Sequence, residues 1–310
     1  MSEADTYGPT LRKLAANISL ASALVLVAVK LLGWLATGSV ALLTSAIDAL
    51  VDAGTSLVTN VGVRYSARPP DDDHRFGHGK GEAVAGFTQA AVLAGAAVTL
   101  AVQSVERLLS PEPIRALNLG IWIIVGSLVV AAALVATQTY VVRRTGSTAI
   151  AADRAHYITD VAVNVAVLLA LGVTKLTGWE RADPAFALAI SAYMVWSAGS
   201  IAKTALAQLL DQELPAEERQ RITDTILLCK GARNVHDLRT RFSGDRTFVE
   251  YHLEVDGKLT VAQGHDIGSV TELAVKNLLP GTVDVTAHLE PLGIVDQRLD
   301  EQIKAHSQSA

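Results

Sequence analysis

Hydrophobic positions along the first two-thirds of the chain run nearly unbroken in six stretches, at about 14–36, 40–65, 82–108, 117–141, 149–172 and 183–206. As α-helix each rises about 1.5 Å per residue and reaches across a hydrocarbon core of about 30 Å, so the pattern predicts six membrane spans. Beyond residue 212 the period changes. A helix is predicted at about 215–229, with Pro215 at its first turn and Glu217 and Glu218 at its favourable end. Two strands follow, and in 247-TFVEYHLEVD-256 the alternation sends Val249, Tyr251, Leu253 and Val255 to one face and Glu250, His252 and Glu254 to the other. A helix at about 260–279 carries His265. A last strand, 282–290, turns Val283, Val285 and Leu289 inward and Asp284, His288 and Glu290 outward. The expected architecture is an all-α six-helix transmembrane domain (1–211), a small cytoplasmic α+β domain of order αββαβ with helices on one side of its sheet (212–293), and a disordered polar tail (294–310).

Composition agrees with this division. Half of the 310 residues are hydrophobic and 18% are charged, which places the chain among membrane proteins. From residue 212 onward there are 16 acidic and 11 basic residues, against 15 and 15 before it, so the net charge of −5 belongs to the C-terminal part. Nothing in that balance fits a nucleic-acid partner. Arg12 and Lys13, then Arg64, Arg68, Arg75 and Lys80, then Arg143 and Arg144 fall on one side of six alternating spans. That side is expected to be cytoplasmic, with both termini inside. A lone cysteine, Cys229, excludes an intrachain disulfide and reads as a buried thiol.

Against this apolar background the second span carries two carboxylates one turn apart, Asp48 and Asp52, and the fifth carries His156 and Asp160 at the same spacing. Residues at i and i+4 share a helix face. Ionisable groups inside a bilayer are costly and mark function. Three carboxylates and an imidazole brought together make a tetrahedral site for a divalent transition ion, with Zn2+ first and Cd2+ or Fe2+ suited to the same donors. Each ligand binds metal only when deprotonated, so metal and protons compete there. Between the second and third spans, 69-PPDDDHRFGHGKGE-82 offers Asp71, His74 and His78 as a three-ligand loop site.

The order DALVD, PDDDHRFGHGK and HYITD across six spans resembles the cation diffusion facilitator family, especially its bacterial zinc-transporting branch, over residues 10 to 291. The resemblance implies a homodimer in the plasma (inner) membrane that exports metal from the cytoplasm in exchange for protons. It also implies that Asp48, Asp52, His156 and Asp160 form the transport site and that Asp71, His74 and His78 form the loop site. A cytoplasmic two-metal site is implied at His236, His252, His265 and His288, with Glu290 standing where the family carries an aspartate. Leu289 replaces a glutamine of that pattern, which predicts a reduced ligand set. Lys80 and Asp211 match an interdomain ion pair of the family. Seven of the eight histidines fall in these three groups, and His306 does not. A membrane-anchored metal sensor or scaffold is the alternative, and it leaves the buried quadruple without a purpose. A metallohydrolase is set aside because no HExxH motif occurs.

Overall fold

The long apolar stretches fold as helices because inside a bilayer every backbone N–H and C=O must be satisfied within its own segment. The computed structural model describes residues 3–37, 40–110, 118–179, 181–293, 298–299 and 301–303, and the side chain of Asp48 lies outside the described set. Two compact units result, Thr6–Leu206 and, from Ala207, the C-terminal part.

The first unit holds α1 (Glu3–Thr37), α2 (Val40–Ser66), α3 (Lys80–Leu109), α4 (Asn118–Thr145), α5 (Thr148–Thr177) and α6 (Ala182–Leu209). Each lies within a few residues of a predicted span, except that α1 starts earlier. Their ends follow local chemistry. Pro69 and Pro70 cannot extend α2, while Gly146 and Gly178 take positive φ after α4 and α5. Among the described residues, four segments, Gly8–Leu35, Lys80–Leu109, Gly126–Thr145 and Pro184–Leu209, are long and apolar enough to cross a membrane. α2 and α5 carry the candidate ligands instead. α2 approaches α3 closely at Gly62, where a Cβ would collide with that of Ala85.

Leu24, Val25, Leu32, Leu50, Val98 and Val129 are exposed, forming the kind of apolar surface that lipid covers. Trp196 is 69% exposed beside Tyr193. It belongs to that outer surface.

Polar groups also bind the helices from within. Arg12 of α1 donates to Glu82 of α3 at 2.9 Å, with both side chains buried. Glu82 further accepts from Ser66 at 3.2 Å and from Ser147, the residue before α5.

The second unit contains α7 (Ala216–Leu227), β1 (Asn234–Ser243), β2 (Arg246–Val255), α8 (Val261–Leu278) and β3 (Thr282–Pro291), the αββαβ order read from the sequence. Thr260 and Gln263 cap α8 reciprocally. β2 is central, antiparallel to β1 and parallel to β3. Ile222 and Ile226 of α7 and Val275 of α8 pack with Val249, Tyr251, Leu253, Val255 and Val285 in one core. The helices therefore cover the face predicted to be apolar.

The opposite face departs from the simple outward expectation, because Glu254 is 3% exposed and Glu290 only 8%. Both lie under polar partners: Asn234, Arg298 and His236 surround Glu254, and histidines surround Glu290. The tail also differs from expectation where it is described. Arg298 donates to Glu254 at 2.7 Å and the Leu299 N–H to Asp237 at 2.9 Å. Cys229 is half-buried rather than buried.

Candidate metal centres

Among the described residues three groups of ligand-type side chains converge, with their ligand atoms within 4.8 Å of one another: Asp52, His156 and Asp160; Asp71, His74 and His78; and His236, His252 and Glu290.

In the membrane unit His156 of α5 sets Nε2 3.0 Å from Asp52 Oδ1 of α2 and 3.8 Å from Asp160 Oδ2. The i,i+4 spacing puts His156 and Asp160 on one face of α5, and that face meets α2. Asp48 is one turn before Asp52 on α2, but its side chain lies outside the described residues. Asp52 and Asp160 line a cavity of about 260 Å³ together with Asn164, Tyr157 and Lys30. The sequence reading did not single out Lys30, a basic group on α1 that faces two carboxylates.

It also passed over Asp153, one turn before His156. This carboxylate has no exposed surface. Ser19 of α1 and Gln138 of α4 each donate to its Oδ2 at 2.6 Å, and Gln89 of α3 donates to Oδ1 at 3.3 Å. Ser56 lies 3.2 Å from Ser19 and 3.1 Å from the Tyr157 hydroxyl. A single polar residue in each of several apolar spans was the available signal.

In the loop, Asp71 is the hub. Its Oδ1 accepts the His74 N–H at 2.7 Å and lies 3.1 Å from His74 Nδ1, while Oδ2 lies 3.2 Å from His78 Nε2. The His74 backbone N–H is the chief influence holding the Asp71 carboxyl below its ordinary value, and it outweighs desolvation. His78 is buried edge-on to Tyr65, with ring centroids 4.7 Å apart, and its Nδ1 has no hydrogen-bond partner among the described residues.

In the sheet, the register aligns His236, His252 and His288 across β1, β2 and β3, with Glu254 beside Glu290 two residues on. A bulge after His236 leaves Asp237 at φ 51 and re-aims the strand beside the site. Glu290 faces His252 Nδ1 at 2.8 Å, His236 Nε2 at 3.3 Å and His288 Nε2 at 3.6 Å. Both ring nitrogens of His236 and Nδ1 of His252 are buried without aligned hydrogen bonds. Buried ring nitrogens left in this way fit metal ligation. His265 is exposed on α8 and is not part of this cluster, because α8 packs on the other face of the sheet. Leu289 also points to that face, against Gly264 and Gly268. Leu289 therefore stands outside this subunit's cluster.

Of the expected interdomain pair, Lys80 opens α3, and Asp211, at φ 53, lies 3.4 Å from Arg241 within the C-terminal unit.

Similarity to known proteins covers both units. The cation efflux transmembrane domain matches residues 16–210, and the cation efflux protein cytoplasmic domain matches residues 214–292. The cation-efflux pump FieF of Escherichia coli (strain K12 / DH10B) is 41% identical over 290 residues, covering 94% of this chain and 96% of that protein. FieF of Escherichia coli O157:H7 (strain EC4115 / EHEC) gives the same figures. A structure of CzrB in a zinc form aligns at 37% identity and a TM-score of 0.25, covering 28% of this chain and 99% of that one. Matched over both its parts, the chain belongs to the cation efflux family, the cation diffusion facilitators, as an integral membrane protein with a cytoplasmic C-terminal domain.

Proposed function

We propose that the protein is a secondary transporter, not an enzyme, that exports a divalent transition-metal ion, Zn2+ first and Cd2+ or Fe2+ next, in exchange for protons. The observation that carries this is the convergence of Asp52, His156 and Asp160 from two helices on one cavity within the membrane unit. An imidazole among carboxylates suits zinc better than magnesium or calcium, which take all-oxygen shells. Asp48 supplies the fourth donor. Protons and metal compete for these ligands, so a proton gradient drives the ion outward as the helices expose the site alternately to the two sides. The name of the relative FieF, a cation-efflux pump, supports the same direction of transport.

The active form is a homodimer in the inner membrane with both termini in the cytoplasm. His236, His252, His288 and Glu290 of one subunit hold structural zinc, and His265 joins such a site from the partner's α8. Asp71, His74 and His78 hold a further ion.

The deciding experiment is zinc flux in reconstituted vesicles under an imposed proton gradient, comparing wild type with Asp52→Ala and testing Cd2+, Fe2+ and Mn2+ alongside. Gradient-dependent flux that disappears in the variant is the expected result. Metal binding to the C-terminal domain with no flux of any ion would overturn the transporter and favour the membrane-anchored sensor or scaffold.

A further inference from the structure

The Asp153 cradle raises a question the metal ligands do not answer. A carboxylate with no exposed surface, inside a membrane domain, has only neutral groups among its described hydrogen-bond partners: Ser19, Gln89 and Gln138. Burying a charge in this way is costly unless it is compensated or neutralised. The cradle is also unevenly satisfied. Gln89 Nε2 carries two hydrogens but faces three acceptors, Asp153, the Thr55 carbonyl and the Thr59 hydroxyl. Meanwhile the side-chain oxygens of Gln89 and Gln138 are buried without a donor among the described residues. One additional hydrogen on Asp153 changes this: Gln138, turned over, accepts from the protonated carboxyl, and its orphaned oxygen gains a partner. Amides suit such a role because the same group donates to a carboxylate and accepts from a carboxylic acid.

A route for the proton is present. Ser19 donates its only hydrogen to Asp153, Ser56 lies 3.2 Å from Ser19, and Tyr157 lies 3.1 Å from Ser56. Tyr157 lines the cavity that Asp52 and Asp160 also line. A proton delivered from cavity water to the Tyr157 oxygen releases the Tyr157 hydrogen to Ser56, that of Ser56 to Ser19, and that of Ser19 to Asp153. Every hydroxyl is regenerated and one proton has moved.

We infer that Asp153 is a proton-carrying residue of the transport cycle, separate from the metal ligands and wired to their cavity through Tyr157, Ser56 and Ser19. The titratable groups facing it are His156 and Tyr157 on α5. Asp52 on α2, Asp160 on α5 and Lys30 on α1 line the cavity beyond. Arg12 and Glu82, the buried charges of α1 and α3, close on each other. A divalent ion arriving among Asp52, His156 and Asp160 disfavours a second positive charge nearby, so the proton on Asp153 leaves by the same chain.

This inference rests on the proton-coupled reading above. Its test is the number of protons released per zinc bound by the full-length protein in weakly buffered nanodiscs, together with the pH profile of zinc flux in vesicles. Asp153→Asn keeps the shape of the protonated acid and cannot titrate. It is expected to bind zinc, release about one proton fewer per ion and show a flattened pH profile. Should that variant fail to assemble, Tyr157→Phe breaks the chain while leaving Asp153 in place, and it is expected to slow proton release in stopped flow without altering the number released. Unchanged proton release and pH profile in Asp153→Asn, or an unchanged rate in Tyr157→Phe, overturns the inference while the exporter stands. Absence of proton coupling in the wild type itself would instead sink the exchanger.

Discussion

His156 and Asp52 face each other at 3.0 Å across the contact of α5 with α2, so the candidate metal site also fastens two helices. Each residue lies on a face set by i,i+4 spacing, with Asp160 completing the described group at 3.8 Å from the imidazole. Removal of Asp52 as a ligand is expected to weaken zinc binding more than about 100-fold, beyond the loss typical of an outer-shell partner. Calorimetric titration of Asp52→Asn checks this, and retention of wild-type affinity would place the ion elsewhere.

The buried Arg12–Glu82 pair predicts asymmetric losses. Arg12→Leu leaves Glu82 without its cation in a site where it is 1% exposed, and about 3–5 kcal/mol of stability should disappear. Replacing both residues with apolar side chains of similar volume should recover most of that. Thermal unfolding in detergent, run as a double-mutant cycle, tests it; a double variant as unstable as the single one would contradict the account.

Within the loop site the two histidines should not be equivalent. His78 is buried against Tyr65, whereas His74 is exposed. Cobalt(II) absorption is expected to weaken in both His74→Ala and His78→Ala, but only the second should also lower the melting temperature. Equal thermal effects would show that burial beside Tyr65 contributes nothing.

Glu254 predicts an acid-sensitive sheet. Burial pushes its pKa up, but donation from Asn234 and the Gly293 N–H, with the charge of Arg298, prevails and holds it below the ordinary 4.5. A group depressed on folding contributes stability that is present above its unfolded value and lost as pH falls through the lower folded value. Protection factors of the β2 amides in the full-length protein should therefore fall as pH drops below about 4.5, and Glu254→Gln should blunt that fall. Identical acid profiles would remove Glu254 as the cause.

Close approach at Gly62 gives a packing prediction. A β-carbon there collides with the Ala85 side chain and stands 3.2 Å from the Gly81 carbonyl, so Gly62→Val should cost about 1–3 kcal/mol by overpacking α2 against α3. A melting temperature equal to wild type would mean that the two helices part easily.

Much of this was legible in advance because membrane helices and alternating strands write their period directly into the hydrophobic pattern. The ligand pairs Asp52 with the Asp48 position and His156 with Asp160 stood out for the same reason, as charged residues on one face of an apolar span. Asp153 did not, since its partners Ser19, Gln89 and Gln138 are single polar residues on three other helices, and only packing brings them together. Alternation showed which face Glu254 and Glu290 occupy, but not that histidines and Arg298 cover them. Leu289 sits beside ligands in sequence, yet the pleat turns it toward Gly264 and Gly268, the inward face that alternation predicts.

Side chains along a strand alternate faces, so a slip of β3 by a single residue against β2 exchanges His288 and Glu290 for Leu289. An ion that requires His236, His252 and Glu290 together is compatible with one alignment of three strands. An ion held by all three would therefore favour that alignment over a slipped one, tying the pairing of β1, β2 and β3 to occupancy of the cluster.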